Sequence, residues 1–406
     1  MVGVLRDSTY ARLFSAQVVA LLGTGLLTVA LGLLAFTIAG QDAGVVLGTA
    51  LTIKMVAYVA VSPVMATRWR RKTVLVSADA VRAAVALSLP WVSEAWQIYV
   101  LIFVLQAASA SFTPVFQAVI PDVLPDEAQY TRALSLSRLA YDTESLLSPV
   151  VAAALLTVMS YNNLFLGTAL GFLASGVLVL VTGIPDAARS GAASFRERIS
   201  RGVRVMLRTA ELRSLLAMNL VVATSTAMVI VNTVVVVRGS LDRSESDVAF
   251  LLAAFGAGSM LVALVVPSVL DKIADRPVML TGSAIIPPAL AASAAVIALP
   301  AGGGQWALLV TLWAVLGAST SLILTPSARL LRRSSDQASR PAVFAAQFSL
   351  SHACFMLTYP IAGVLGAALG LPQTALILSA LGVLGALGAF ALWTRPVKEI
   401  SPAPGL

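Results

Sequence analysis

Several ionisable side chains sit deep inside long apolar stretches of this chain, where each must exchange a proton, hold an ion or pair with a neighbour. A charge at the centre of a bilayer costs at least ~2.5 kcal/mol on insertion scales. Lys54 stands midway along the apolar run 44–66. It suits a pathway residue that pairs with an acid or repels a cation in one state, or one half of a buried ion pair. Asp142 and Glu144 lie within the run 131–159. Two positions apart on a helix, they diverge by about 200° and do not face one site together. Arg138 and Asp142 are four apart and can pair on one helix face, which leaves Glu144 as the acid without a local partner. A carboxyl of that kind can load and unload a proton, so Glu144 and then Asp142 are the candidate proton carriers, with Lys54 beside them. Asp79 and Arg82 are three apart and can satisfy each other as a structural pair.

His352 is the single histidine. An imidazole can carry a proton or ligate a metal, and Met356 shares its helix face while Cys354 does not. His352 is therefore both a candidate substrate contact and the one candidate metal ligand, with Met356 as a soft neighbour. The competing assignment is a hydrogen-bonded buried histidine. Gln17, Gln106, Asn219, Asn232 and Gln347 are uncharged polar residues in apolar runs. They are candidate substrate contacts, although most such groups in membranes bond helix to helix. Soluble-enzyme chemistry finds no foothold. There is no Gly-x-x-x-x-Gly-Lys phosphate loop, and one histidine with one cysteine makes a poor zinc site. Neither an enzyme nor a bound cofactor is expected.

The elements that must hold these groups are read from hydropathy. The chain is 58% hydrophobic and 11% charged, with mean hydropathy +0.91, against roughly 25% charged residues in soluble domains. Apolar runs at about 13–38, 44–66, 73–93, 96–121, 131–159, 162–184, 215–237, 247–270, 278–300, 306–326, 342–368 and 371–394 each approach the ~20 residues a spanning helix needs. Of the 27 Lys and Arg, Arg238 and Arg243 lie on one side of this alternation and Lys54, Arg82 and Arg138 within runs. The rest fall on the other side, with both termini. The positive-inside rule places that side in the cytoplasm and the chain, multi-pass, in the plasma membrane. The net charge of +8 is thus topological rather than a nucleic-acid footprint, and no nucleic-acid partner is expected. The connector 185–214 is the one long one. It is rich in Arg and carries Phe195, Ile199, Val203 and Met206 at amphipathic spacing. An anionic-lipid contact is one use for it. Trp96, Trp306 and Trp393 fall at run ends, as interfacial anchors do. No cleavable leader is evident after Arg6 and Arg12, and Cys354 alone allows no internal disulfide.

Six runs precede the connector and six follow, giving units at 1–184 and 215–406. The fifth run of each half carries a proline followed by small residues, Ser148-Pro149 and Tyr359-Pro360. Internal repeats of this kind mark secondary transporters, with sites near the midplane. This layout resembles the major facilitator superfamily over essentially the whole chain. Between the second and third runs the family carries Gly-x-x-x-Asp-Arg-x-Gly-Arg-Lys. Here the segment reads Pro63-Val64-Met65-Ala66-Thr67-Arg68-Trp69-Arg70-Arg71-Lys72, with the basic end kept and the acid and glycines lost. The weaker copy, Asp271-Lys272-Ile273-Ala274-Asp275-Arg276-Pro277, keeps an Asp-Arg pair. The resemblance implies that Asp275 and Arg276, like Asp79, Arg82 and Arg138, serve in gating or structural ion pairs.

Three segments resemble an exporter branch with macrolide-type and nickel-resistance-type permeases: 18–25, 132–142 and 351–354. The expectation is an all-α membrane protein of twelve transmembrane helices in two six-helix pseudo-repeats. It would be a monomer that exports a small toxic solute, nickel-like metal or organic, by proton-coupled alternating access. An importer, or a non-transporting sensor or scaffold on the same fold, are the alternatives.

Overall fold

A computed structural model describes residues 2–393 apart from 66–69, 125, 185–194, 301–302 and 336–339. Among the described residues there are α-helices, short 3-10 turns and one π-helical turn, and no strand. Helix α1 runs Ser8–Ala39. It starts on Asp7, whose side chain accepts from Tyr10 N at 2.8 Å, and stops at Gly40, where φ is +53°. Then follow α2 (Ala43–Met65), α3 (Arg71–Ser88), α4 (Ala95–Val123), α5 (Glu127–Leu155) and α6 (Asn162–Leu180). The amphipathic connector forms α7 (Phe195–Arg208). The second half contains α8 (Ala210–Val234), which passes into the π-turn Val235–Ser240, then α9 (Glu245–Leu270), α10 (Asp275–Ile297), α11 (Gly303–Arg333), α12 (Arg340–Leu369) and α13 (Leu371–Leu392).

The twelve apolar runs fall on α1–α6 and α8–α13. Among the described residues ten segments are long and apolar enough to cross a membrane, and helices α1 and α2, joined by a single turn, count as one of them, Ser8–Ala57. Helix α5 carries Glu127, Arg132, Arg138, Asp142 and Glu144. Helix α11 runs past residue 326 to Arg333, beyond the apolar run. Trp96 is exposed at the start of α4, as an anchor would be, but Trp393 is buried among its neighbours and anchors nothing in lipid.

Without a hydrophobic effect between helices, small residues that let backbones approach hold such a bundle together. Helices α1 and α6 touch at Gly23 and Gly171, where an added Cβ would stand 3.1 Å from Thr168 O and 3.0 Å from Val19 O. Helices α9 and α11 are closer still. Gly258 faces the carbonyl of Ala314 and Gly317 faces that of Phe255, each without room for a methyl group. Helices α2 and α12, from different halves of the chain, meet where Gly44 and Gly48 pack on Gly363 and Tyr359. Near them Gln41 Nε2 donates to Gly239 O at 2.9 Å, and Arg238 lies 5.9 Å from the Phe36 ring. The two halves are therefore shut against each other at the face carrying the α1–α2 turn and the π-turn.

Gly317→Val should destabilise the α9–α11 crossing by about 1–3 kcal/mol, the usual cost of overpacking. Thermal unfolding in detergent checks this, with Gly304→Val as the control, since no atom lies within 4 Å of a Cβ there.

Candidate site at the junction of α2, α5 and α12

The sequence places Lys54 in the middle of α2 and Glu144 in the second half of α5. The fold brings the two within electrostatic range of each other. Glu144 is thus not the partnerless acid that local spacing suggested, because its countercharge comes from another helix. Ser148, one turn further along α5, sets its hydroxyl beside the Glu144 carboxyl. Gly25 of α1 makes this possible. A Cβ there would overlap Ser148 and stand 2.5 Å from Glu144 Oε1. Neither Gly25 nor Ser148 was singled out for this role, although Ser148 stands four residues after Glu144, within reach on one helix face.

His352 approaches the same cation from α12 and interacts electrostatically with Lys54. Its Nδ1 lies 2.7 Å from Phe348 O. A carbonyl can only accept, so Nδ1 carries the hydrogen in this contact. The imidazole stacks on Phe348 with centroids 4.0 Å apart and meets the edge of Phe355 at 6.2 Å. A small cavity of ≈ 30 Å³ opens beside Lys54, lined also by Thr24, Thr28, Gln106 and Ile230. It has room for a water molecule or two and not for a drug-sized solute.

The other polar candidates separate into bonds between helices and one cavity residue. Ser137 Oγ donates to Gln17 Oε1 at 3.0 Å, joining α1 to α5. Asn219 and Gln347 exchange two amide hydrogen bonds at 3.1 and 3.0 Å, joining α8 to α12. Asn232 Nδ2 donates to Ala362 O at 3.2 Å. Gln106 alone of the five lines the cavity with Lys54. Met356 is exposed, and among the described residues no group of three or more His, Cys, Asp or Glu side chains converges on a point. His352 and Met356 on their own do not build a metal centre. The side chains of Arg138 and Asp142 lie outside the described residues.

The ion pairs differ from the sequence expectation in an instructive way. Asp79 and Arg82 do pair, fully buried, and Ser175 Oγ donates to Asp79 Oδ2 at 2.8 Å. The guanidinium is held between the rings of Phe112 and Phe172, 4.4 and 4.5 Å from their centroids. Asp275 does not pair with Arg276. It takes Arg329 Nε at 3.4 Å and Arg333 Nη1 at 2.9 Å, while Arg276 Nε donates to Trp393 O at 3.2 Å. Arg333 also reaches Glu211 Oε1 at 3.4 Å, and Ser334 Oγ donates to Glu211 Oε2 at 2.9 Å. The acid missing from the segment between α2 and α3 is supplied from elsewhere, since Arg71 pairs with Asp122 at the end of α4.

Two substitutions test this geometry. Gly25→Ala should lower the thermal unfolding midpoint by forcing Ser148 and Glu144 aside, at about 1–3 kcal/mol. Gly32→Ala, where the added methyl group meets nothing nearer than 4.0 Å, should not. Asp79→Asn leaves Arg82 charged among aromatic rings and should cost about 3–5 kcal/mol; the same change at the exposed Asp271 should be silent in the same melt.

With this arrangement in view, comparison with known proteins gives a consistent picture. The family model described as "Major Facilitator Superfamily" matches residues 13–239 and 215–405. Macrolide efflux protein A of Streptococcus pyogenes is 25% identical over 215 residues, 50% of this chain and 52% of that protein. An uncharacterised MFS-type transporter of Bacillus subtilis is 30% identical over 119 residues, 29% of this chain and 28% of that one. The chain thus spans about half or less of the length of these relatives. Among solved structures, an inward-facing, occupied bacterial homologue of the human lysosomal transporter Spinster superposes with TM-score 0.74 at 13% identity, covering 95% of this chain and 96% of that one. The nucleoside transporter NupG superposes with TM-score 0.72 at 12% identity, covering 95% and 99%. The family match over nearly the whole chain, on an all-helical bundle of two halves, leads to one conclusion: this protein belongs to the Major Facilitator Superfamily of membrane transporters and resembles its macrolide-efflux permeases.

Proposed function

We propose that the protein exports a small organic solute from the cytoplasm by alternating access, driven by inward proton flow. The observation that supports this reading is the electrostatic coupling of Lys54 with Glu144 in the interior of the bundle, and of His352 from the other half with the same cation. A carboxylate and an ammonium held in hydrocarbon stabilise each other. When Glu144 takes up a proton, Lys54 loses its countercharge and is left facing His352 across the two halves. That change in charge balance is what would bias the bundle from one opening to the other, because a conformational equilibrium moves only by a difference in free energy between its states.

The direction and the sidedness are part of the proposal. The basic face would lie in the cytoplasm, so the seam of Gly44, Gly48 and Gly363 would close the outer side. Such a state receives solute from within. The halves, 1–184 and 215–406, would rock about the site with 185–214 as the connector, as a monomer. The organic class is preferred over a divalent metal for two reasons. His352 Nδ1 is already engaged by a backbone carbonyl, and the described residues supply no third ligand. The macrolide-efflux relatives point the same way.

Glu144→Gln should cut pH-gradient-driven uptake into inverted vesicles, whose cytoplasmic face points outward, by ~10-fold or more, as expected on losing a proton-transfer group, while the protein still inserts and folds. Erythromycin and ethidium serve as organic probes and nickel as the metal probe. Undiminished gradient-driven transport in Glu144→Gln rules out Glu144 as the carrier. Transport of nickel without either organic probe rules out the organic assignment.

A further inference from the structure

Helix α7 has no part in the site above, yet its sequence and its seat both call for a partner. Its inner side is docked. Met206 is fully buried, and Gly202 lies so close to the carbonyl of Ala342 and to Ala346, both on α12, that no methyl group would fit between them. Its outer side carries Arg204 and Arg208, both exposed, and between them Leu207, 54% exposed. One residue, Thr209, with extended backbone, separates α7 from the membrane-crossing α8. Arg213, exposed, follows on the first turn of α8. Among the described residues no carboxylate pairs with Arg204, Arg208 or Arg213, unlike Arg71, Arg329 and Arg333, which all have one. A helix that lies within one residue of the bilayer, with basic side chains flanking an outward leucine, has the composition of an interfacial anchor.

From these observations we infer that α7 binds the headgroups of anionic phospholipids through Arg204 and Arg208, with Leu207 set among the first acyl carbons. Charge complementarity selects the lipid. A zwitterionic surface offers these arginines no net attraction, whereas each Lys or Arg near an anionic surface contributes about fivefold to partitioning. An RNA phosphate backbone could satisfy the arginines but would leave Leu207 in water. Docked through Gly202, the helix would tie the lipid surface to α12, the helix that carries His352. The inference needs only the membrane placement and is independent of what is transported.

The chain has a single cysteine, Cys354, so a Cys354→Ser background allows one label. A bimane fluorophore at Leu207→Cys in the full-length protein, reconstituted in vesicles of mixed lipid, is quenched by brominated phosphatidylglycerol or, in a parallel sample, by the same fraction of brominated phosphatidylcholine. The expected result is quenching several-fold stronger by the anionic lipid at low salt. That preference falls to parity in the Arg204→Gln/Arg208→Gln variant, and in the unsubstituted protein at 1 M salt, where the screening length is only about 3 Å. The salt arm stands even if the double variant fails to fold. Free inorganic phosphate or an RNA oligonucleotide should not displace the lipid. Equal quenching by the two lipids, no quenching by either, or a preference for phosphatidylglycerol that survives both loss of the arginines and high salt overturns the inference, as does displacement by phosphate or RNA.

Discussion

An acid and a base held inside the membrane can stay charged only while they hold each other. Lys54 and Glu144 impose that constraint on everything around them. Each would cost ~2.5–3.5 kcal/mol if placed alone at the centre of a helix in lipid, so the two must stay within electrostatic range and α1 must leave room beside Glu144. Gly25 leaves that room, and Ser148 supplies a polar neighbour on the same helix. The Glu144 carboxyl and the packing of α1 on α5 are one feature described twice.

The same economy governs the rest of the bundle. Glycine contacts close α1 on α6, α9 on α11 and, between the halves, α2 on α12. The first two lie within a half and lock it as a rigid body. The third joins the halves at one face and is backed by few polar contacts, chiefly Gln41 with Gly239. A seam built from dispersion contacts can separate without leaving a charge exposed. The ion pairs sit elsewhere: Arg71–Asp122 and Asp79–Arg82 within the first half, and Asp275 with Arg329 and Arg333 within the second. Among the described residues the ion pairs named here all lie inside one half or the other.

Much of this was legible from residue types and spacing. Hydropathy located every long helix, the amphipathic spacing of Phe195, Ile199, Val203 and Met206 located α7, and the depth of Lys54 and Glu144 in their runs marked both as candidates. What sequence could not supply was pairing between helices. Local rules offer partners three or four residues away, so they found Asp79–Arg82. They also left Glu144 without a countercharge, whereas the fold sets Lys54 of another helix within electrostatic range of it and gives Asp275 to Arg329 and Arg333. Buried amides failed in the same way. Asn219 and Gln347 lie 128 positions apart and satisfy each other, which no periodicity reveals. Trp393 ends its run as an anchor would, but the fold buries it against neighbours that the run itself does not contain.

The central claim is that Lys54 governs the protonation of Glu144. Infrared difference spectroscopy across a pH titration tests it most directly, because a buried protonated carboxyl has its own C=O stretch and Glu144→Gln identifies which band belongs to this residue. The account expects that band to titrate in the wild type and its titration to be displaced when Lys54 is replaced by Met. A Glu144 band whose titration is the same with and without Lys54 would contradict it.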